Sequence, residues 1–346
     1  MQHLFYVHSA ITLLLARAVI QHEGLDAGRI AWLTDRGVTV PDVPAERVLE
    51  VSDWQWQSLS HRAQNADLLR RLDDWLSTRF GDAPFRCYLP HHLLRTLRAV
   101  ISHPRCAGYA YLEEGLDSYQ PLAQLADIHQ LSPPGLPARL AHRIKFHGRI
   151  PAERAFLRPE STRFHGAYCL SPEAFPDLPA GRKTVLPIPF QRRPEYAHYR
   201  HVLAPSPESE VGYYPLADQL LVVERLLRAL AARGVAGLHV KYHPRQLRPG
   251  GSAPAFRALF ERLSDLLPVT EIAPDHSLEE IAVSSGATFY VGTSSVGLYA
   301  AVSGCPVYSY APWLTAQNSV YRTVEDRMPP AFRRLVNPIS ALASHP

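Results

Sequence analysis

Short apolar runs of strand length alternate with longer segments of helical periodicity along the chain. In the first half, the apolar runs predict strands at residues 4–7, 29–33, 87–89 and 109–112. Between them the pattern predicts helices at residues 10–22, 54–79 and 91–101. This alternation is typical of α/β domains built on parallel sheets.

The same alternation restarts at the short apolar stretch that begins at His201 and ends in a Pro-Ser-Pro turn. Further strands are predicted at 238–242, 288–291 and 307–310. Helices are predicted at 215–233, 253–267, 277–285 and 295–303. The second half therefore reads as a second doubly wound α/β domain.

The length of 346 residues exceeds what one hydrophobic core usually supports, which favours two domains. Proline is frequent between residues 131 and 194, which predicts the interdomain connection there. We expect Rossmann-like domains at 1–190 and 191–346, facing across a cleft. In such sheets the loops at the carboxyl ends of the strands contact ligand.

The amino-terminal segment and the cysteines indicate the cellular compartment in which the protein is expected. Residues 4–20 are rich in apolar side chains, but they have no basic flank and no small-residue cleavage site, and His8 and Arg17 interrupt them. A signal peptide or spanning helix is therefore not predicted. Four widely spaced cysteines form no CxxC motif, which is consistent with a reducing cytoplasm.

The charge is mildly basic, with a net charge of +4 and a pI near 8.9. Nucleic-acid binding would require a basic stripe with exposed aromatics or a known module, and the sequence has neither. Anionic substrates or peripheral attachment to an anionic membrane explain the charge equally well. A solvated surface without a partner is a further explanation.

Hydroxyl side chains follow the predicted strand 288–291 in the stretch VGTSS. Gly292 ends the apolar run, and Thr293, Ser294 and Ser295 precede a predicted helix. A helix amino terminus presents unpaired N–H groups, so hydroxyls there can complete an anion site. Simple capping of the helix by one serine is the alternative.

A histidine-proline pair ends another predicted strand in the stretch KYHPR. Pro244 favours an extended conformation at His243, which directs the imidazole away from the strand end. With Lys241 and Arg245 nearby, this histidine could bind or protonate a phosphate. An ordinary surface turn is the alternative.

Two adjacent carboxylates end the strand before Gly115 in the stretch YLEEG. Side chains alternate along a strand, so only one of Glu113 and Glu114 can face a cleft. A partly desolvated carboxylate there could take a proton from a hydroxyl. A solvated acidic strand end is the alternative. His8, Ser9 and His91 are candidates for the acceptor side, although core packing or capping accounts for them equally well.

The motifs do not predict a metal site, because the sequence lacks Asp-x-Asp and HExxH and its histidines are not at ligand spacing. His91 and His92 at the start of a helix would diverge by about 100°. No P-loop, GxGxxG or GxSxG motif is present either.

The order of the three motifs, Glu113-Glu114-Gly115, His243-Pro244 and Ser294-Ser295, resembles the bacterial sialyltransferases and polysialyltransferases. The stretches YLEEG, KYHPR, SLEEI and VGTSS are most similar to the capsular polysialyltransferase branch. The resemblance spans roughly residues 1–310. It implies a GT-B fold with an acceptor-side domain followed by a CMP-sugar-binding domain, and metal-independent, inverting transfer of sialic acid or a related nonulosonic acid from its CMP-activated donor.

The resemblance also implies roles for individual residues. Glu113 would be the base, and His243 would contact the donor phosphate and assist departure of CMP. Ser294 and Ser295 would hold that phosphate, and Glu279 would accept hydrogen bonds from the ribose hydroxyls. The Glu-Glu-Gly form differs from Asp-containing versions, so Glu114 stays an alternative to Glu113.

The implied partners are a CMP-sugar donor and a glycan or lipid-linked glycan acceptor, with no cofactor and no nucleic acid. The implied location is cytoplasmic, with peripheral attachment at the inner face of a bacterial cytoplasmic membrane as an option. Three alternatives stay open from the residues: a CMP-Kdo donor, another nucleotide sugar on the same fold, and a non-catalytic nucleotide- or glycan-binding protein.

Overall fold

The structure, a computed structural model, describes residues 1–344. The chain divides into two compact units, Met1–Pro189 and Phe190–Pro346. This division lies one residue before the predicted boundary between 190 and 191.

The first unit contains a seven-stranded parallel sheet with the order β3-β2-β1-β4-β5-β6-β7. Its strands are β1 (Gln2–Val7), β2 (Ile30–Thr34), β3 (Val48–Glu50), β4 (Phe85–Leu89), β5 (Cys106–Leu112), β6 (Phe164–Cys169) and β7 (Lys183–Val185). Its helices are α1 (Ala10–His22), α2 (Arg62–Phe80), α3 (Arg95–Ile101), α4 (Leu122–Ile128) and α5 (Leu136–Lys145).

Burial explains why these segments form central strands. Leu4, Phe5, Tyr6 and Val7 of β1 are consecutive and all fully buried. Successive strand side chains point to opposite faces, so both faces of this strand are covered, as in doubly wound sheets. Helix α1 begins where predicted because Ser9 caps it, and Ser9 and Thr12 form a capping box.

The second unit contains a six-stranded parallel sheet with the order β10-β9-β8-β11-β12-β13. Its strands are β8 (His201–Ala204), β9 (Leu238–Val240), β10 (Val269–Glu271), β11 (Thr288–Val291), β12 (Val307–Ser309) and β13 (Asn337–Pro338). Its helices are α6 (Leu216–Ala232), α7 (Ala253–Arg262), α8 (Leu278–Ser285), α9 (Ser295–Val302), α10 (Ala311–Gln317), α11 (Arg322–Asp326) and α12 (Pro330–Leu335).

The strand order reverses once in the middle of each sheet, between β1 and β4 in the first unit and between β8 and β11 in the second. This is the arrangement of Rossmann-like sheets, whose ligands bind outside the carboxyl ends of the strands at the reversal. The predicted α/β class with two Rossmann-like doubly wound domains is confirmed.

Three predicted segments differ from the structure. The stretch 131–194, predicted as a connection, contains α5, β6 and β7, so most of it belongs to the first unit. Residues 54–61 precede α2 as a loop and a short 3-10 turn, because Trp56 leaves the helical path to pack on Phe146. Helix α3 begins at Arg95, so His91 and His92 lie in the loop before it.

All four cysteines are buried and none is in a disulfide. Among residues 1–344, no helix combines the length and apolar character needed to cross a bilayer.

Candidate functional site

His8, His91 and Glu114 lie together at the carboxyl edge of the first sheet. They follow β1, β4 and β5, which are neighbouring strands. His8 Nε2 is 3.2 Å from Glu114 Oε2, and His91 Nε2 is 3.7 Å from Glu114 Oε1. All three side chains are less than a tenth exposed. The first sheet thus places one carboxylate between two imidazoles at its strand-order reversal.

The alternation of side chains separates the two adjacent glutamates, as the sequence predicted. Glu113 is fully buried; its Oε1 accepts a hydrogen bond from the Tyr119 hydroxyl at 2.8 Å, and its Oε2 accepts one from the Leu170 amide at 2.7 Å. Glu114 faces the histidines instead. The structure therefore argues against Glu113 as the base, because its carboxylate is held inside the core, and favours Glu114 for the reactive position.

Gly115 allows the chain to turn directly after the two glutamates. Its φ of 126° lies in a region that side-chain-bearing residues rarely adopt. In this turn the Glu114 amide donates a hydrogen bond to the Ser118 hydroxyl at 3.0 Å. The glycine of the predicted motif therefore shapes the loop that presents Glu114.

Electrostatics keep the Glu114 carboxylate charged. Burial alone would raise its pKa, but His91 and His8 outweigh burial, and the pKa of Glu114 is lowered. Burial lowers the pKa of His91, whose Nδ1 accepts a hydrogen bond from the Leu93 amide. An anionic carboxylate can therefore accept a hydrogen bond from the His8 Nε2–H at 3.2 Å, whereas His91 at 3.7 Å is an electrostatic neighbour.

A pocket of about 410 Å³ lies at the same edge of the first sheet. It combines two aromatic side chains with three cations: Trp54, Trp56, Arg95, Arg98 and Arg154. Asp35 also lines it and accepts a hydrogen bond from Tyr6, whose ring stacks on His8. Stacking rings beside guanidinium groups suit an anionic, sugar-like ligand.

In the second unit, the Gly292–Ser295 turn is tethered to a glutamate that the sequence analysis missed. Glu208, in the loop after β8, is 1% exposed. Its Oε1 accepts hydrogen bonds from the Thr293 amide at 2.9 Å and the Thr293 hydroxyl at 3.1 Å. Its Oε2 accepts one from Gln219. Thr293 is thus used to join the two loops at the strand-order reversal.

Burial raises the pKa of Glu208 to about 7. The approach of its carboxylate also explains Gly292, since a Cβ there would lie 2.0 Å from Glu208 Oε1. Only glycine leaves room for the acid. The sequence could not reveal Glu208, because a polar residue in a Pro-Ser-rich loop usually lies in solvent.

Ser294 caps α9, since its hydroxyl accepts a hydrogen bond from the Val296 amide at 3.3 Å. Ser295 is the first residue of the helix, beside the cap and partly exposed. The simple capping alternative is therefore realised for Ser294, and the positive end of the α9 dipole lies at this turn.

His243 is exposed at the next strand end and holds a defined tautomer. Its Nδ1 accepts a hydrogen bond from the Arg245 amide at 3.1 Å, which leaves the proton on Nε2. Burial and Arg245 lower its pKa. The lowered pKa favours the neutral ring, with its Nε2–H as a donor, over the protonated one. Pro244 follows it in a turn closed by the Gln246 amide and the His243 carbonyl at 2.9 Å.

A buried network joins the His243 loop to the Glu208 loop. Gln246 is fully buried; its Oε1 accepts a hydrogen bond from the His243 amide at 2.9 Å, and its amide nitrogen donates to the Ser206 carbonyl at 3.4 Å. Gln219 donates to the same carbonyl at 2.9 Å. The loops after β8, β9 and β11 are therefore positioned as one group.

Lys241 does not have the predicted role of a phosphate contact. Its ammonium group donates to the carbonyls of Ala273, Pro274 and His276, which fixes the loop before α8. Glu279 lies in the first turn of α8 and accepts a hydrogen bond from Ser277 at 2.8 Å. The structure thus places Glu279 and Lys241 beside one loop.

A pocket of about 910 Å³ in the second unit opens at the opposite edge of its sheet, beside His201 and Thr288, where β8 and β11 begin. It is therefore separate from the strand-end loops. Among the residues that the structure describes, no group of three or more His, Cys, Asp or Glu side chains is arranged to hold a metal ion.

No protein-family model matches the chain, and no curated protein matches it in sequence. Solved structures give distant likenesses. UDP-GlcNAc 2-epimerase of Methanocaldococcus jannaschii, solved with UDP-GlcNAc and UDP, has a TM-score of 0.47 at 10% identity over 100% of both chains. A UDP-glucosyltransferase of Polygonum tinctorium has 0.44 at 13%, over 89% of this chain and 79% of that one. MurG of Acinetobacter baumannii has 0.40 at 11%, over 99% and 98%. Likenesses at this level extend to neither substrate nor activity.

Titration of Glu208 should make stability depend on pH. The carboxyl pKa is about 7 in the folded state, against 4.5 for the ordinary group. The stabilisation that Glu208 contributes to the folded state is therefore fully present below about pH 4.5 and is lost as pH rises through 7. The expected loss is about 3 kcal/mol. Urea unfolding at pH 5 and pH 8 should show that Glu208→Gln reduces this pH-dependent loss; an identical pH dependence in both proteins would contradict the assignment.

A methyl group at Gly292 should be poorly tolerated. Gly292→Ala introduces a Cβ against the Glu208 carboxylate, and we expect it to lower the free energy of unfolding by about 1–3 kcal/mol. Gly237→Ala is the matched control, because its Cβ would meet only Pro268 atoms at 3.7 Å or more; its effect should stay within about 0.5 kcal/mol. Equal effects on urea midpoints would show that the Glu208 contact is unimportant.

Proposed function

We propose that the protein is an inverting, metal-independent glycosyltransferase that moves sialic acid or a related nonulosonic acid from a CMP-activated donor to a hydroxyl group of a glycan. One observation carries the proposal. The loops of the three motifs that resemble the sialyltransferases lie at carboxyl strand ends next to the strand-order reversals of the two sheets. Ligand binding and chemistry in Rossmann-like sheets occur at these positions.

The donor phosphate is assigned to the turn at Ser294 and Ser295. The amino terminus of α9 favours an anion there, and the neutral His243 contributes an Nε2–H donor. The Glu208 and Gln246 network supports this assignment, because it positions both loops before any ligand binds. Glu279 is assigned to the ribose hydroxyls through the resemblance.

The acceptor hydroxyl is assigned to the first unit. Glu114 is assigned as the base that takes the proton, and His8 and His91 beside it position its carboxylate. The pocket of Trp54, Trp56, Arg95 and Arg154 is assigned to the glycan, whose stacking and anionic groups these side chains would bind. The buried Arg98 donates to the Pro151 carbonyl and supports the wall of the pocket.

The reaction then balances without a metal. The acceptor oxygen forms a bond to the anomeric carbon as its proton passes to the base, and the bond from that carbon to the phosphate oxygen breaks. CMP leaves with the electron pair, and its charge is stabilised by hydroxyls, amide N–H groups and the His243 donor.

The donor sugar is tested directly by turnover. The purified protein is incubated with CMP-Neu5Ac, CMP-Kdo and UDP-GlcNAc, each with a panel of glycan acceptors, and products are followed by mass spectrometry. We expect an increment of one or more sialyl residues with CMP-Neu5Ac. Turnover of CMP-Kdo or UDP-GlcNAc alone would replace the sialyl assignment, and binding of CMP without turnover of any donor would indicate a non-catalytic protein.

The choice between the two glutamates is tested by a matched pair of substitutions. Glu114→Gln removes the carboxylate that takes the proton, so kcat should fall by about 10²-fold or more while CMP affinity, measured by calorimetry, stays within a few-fold. Glu113→Gln alters core hydrogen bonds, so its larger effect should be on the unfolding midpoint. The reverse pattern, with kcat lost in Glu113→Gln and retained in Glu114→Gln, would restore Glu113 as the base.

A further inference from the structure

Helix α5 presents its apolar side chains to solvent. Leu136, Leu140 and Ile144 are 79%, 59% and 47% exposed. They recur every fourth residue, so they form one stripe within about 80° of the helix circumference. No residue of this helix is buried. We call these three side chains the α5 stripe.

The side of α5 that packs on the protein is polar, which reverses the usual arrangement. His142 and Lys145 pack on Phe146, with ring centroids 4.5 Å apart for His142 and the Lys145 Nζ 5.1 Å from the ring centre. Burial and the nearby Arg98 lower the pKa of His142 to about 4, so the inward imidazole is neutral. A surface helix normally turns its apolar face to the core.

Cations flank the α5 stripe. Arg143 and Arg139 are about 20° and about 60° from Leu136 around the helix. The helix contains Arg139, Arg143 and Lys145 and no Asp or Glu. Arg139 is paired with Glu153 at 2.8 Å. Arg95 is close enough to Lys145 to lower the pKa of the lysine, after burial. Arg95 and Lys145 both lie over the Phe146 ring on the inward side. The stripe itself is therefore bordered by Arg143 and by Arg139, of which Arg139 is ion-paired.

We propose that α5 lies on an anionic lipid surface, with the α5 stripe at the boundary between headgroups and acyl chains and the flanking cations against the headgroup phosphates. An apolar face bordered by arginines suits an interfacial helix on an anionic surface. A protein partner fits less well, because three side chains provide far less than the about 800 Å² per partner that a stable interface buries.

This proposal rests on α5 alone and is independent of the transfer reaction. It gives a physical basis for attachment at a membrane surface without a spanning segment. The expected binding is reversible, since both the apolar stripe and the number of cations are small.

Vesicle flotation with the full chain tests the proposal. The protein is mixed with vesicles of phosphatidylcholine alone or with 30% phosphatidylglycerol. We expect flotation with the anionic vesicles, weak flotation with the neutral ones, and loss of binding in 0.5 M NaCl. Leu140→Gln/Ile144→Gln should weaken binding about 10-fold or more, and Arg143→Gln should weaken binding to anionic vesicles only.

The matched control is Leu221→Gln, which changes another exposed leucine, 56% exposed on α6, and should leave flotation unchanged. Glu114→Gln should float like the wild type, which separates this proposal from the catalytic one. Undiminished flotation of the double variant would overturn the proposal. So would a wild-type dimer in sedimentation velocity that the double variant loses, since the stripe would then bind a second copy of the chain.

Discussion

The reversal of strand order in each parallel sheet is the constraint on which the candidate site depends. Connections from the two central strands leave in opposite directions, so the loops after β1 and β4, and after β8 and β11, part at the carboxyl edge. His8 and His91 follow the first pair, and Glu208 and Thr293 lie in the loops after the second. Side chains that are distant in sequence thus become neighbours where the strand order reverses.

The buried carboxylate of Glu208 then fixes the geometry of the second unit. It occupies space that only Gly292 leaves open, and its hydrogen bonds to Thr293 and Gln219 satisfy groups that would otherwise be costly to bury. The loop that carries His243 is connected to the same network through Gln246. The first unit uses a different arrangement, because there a charged carboxylate is placed between two imidazoles that lower its pKa.

Much of the fold could be predicted from local pattern, because caps and apolar runs act over a few residues. Helix α1 and strand β11 have the predicted bounds, since Ser9 marks a helix start and the apolar run ends at Gly292. The short edge strands β3 and β7 were missed because three residues carry little periodicity. The sequence showed that Glu113 and Glu114 must face opposite ways but not which faces inward, since that depends on the Leu170 amide, which follows the neighbouring strand β6 and is 57 residues away in sequence.

The near-neutral titration of Glu208 has a calorimetric consequence. An anion bound at the start of α9 adds negative potential beside this acid and shifts its protonation equilibrium further toward the neutral form. Binding near pH 7 would therefore draw protons from solution, and its apparent enthalpy would vary with the ionisation heat of the buffer. Through the buried acid, anion binding at the start of α9 would be linked to the uptake of protons from the buffer.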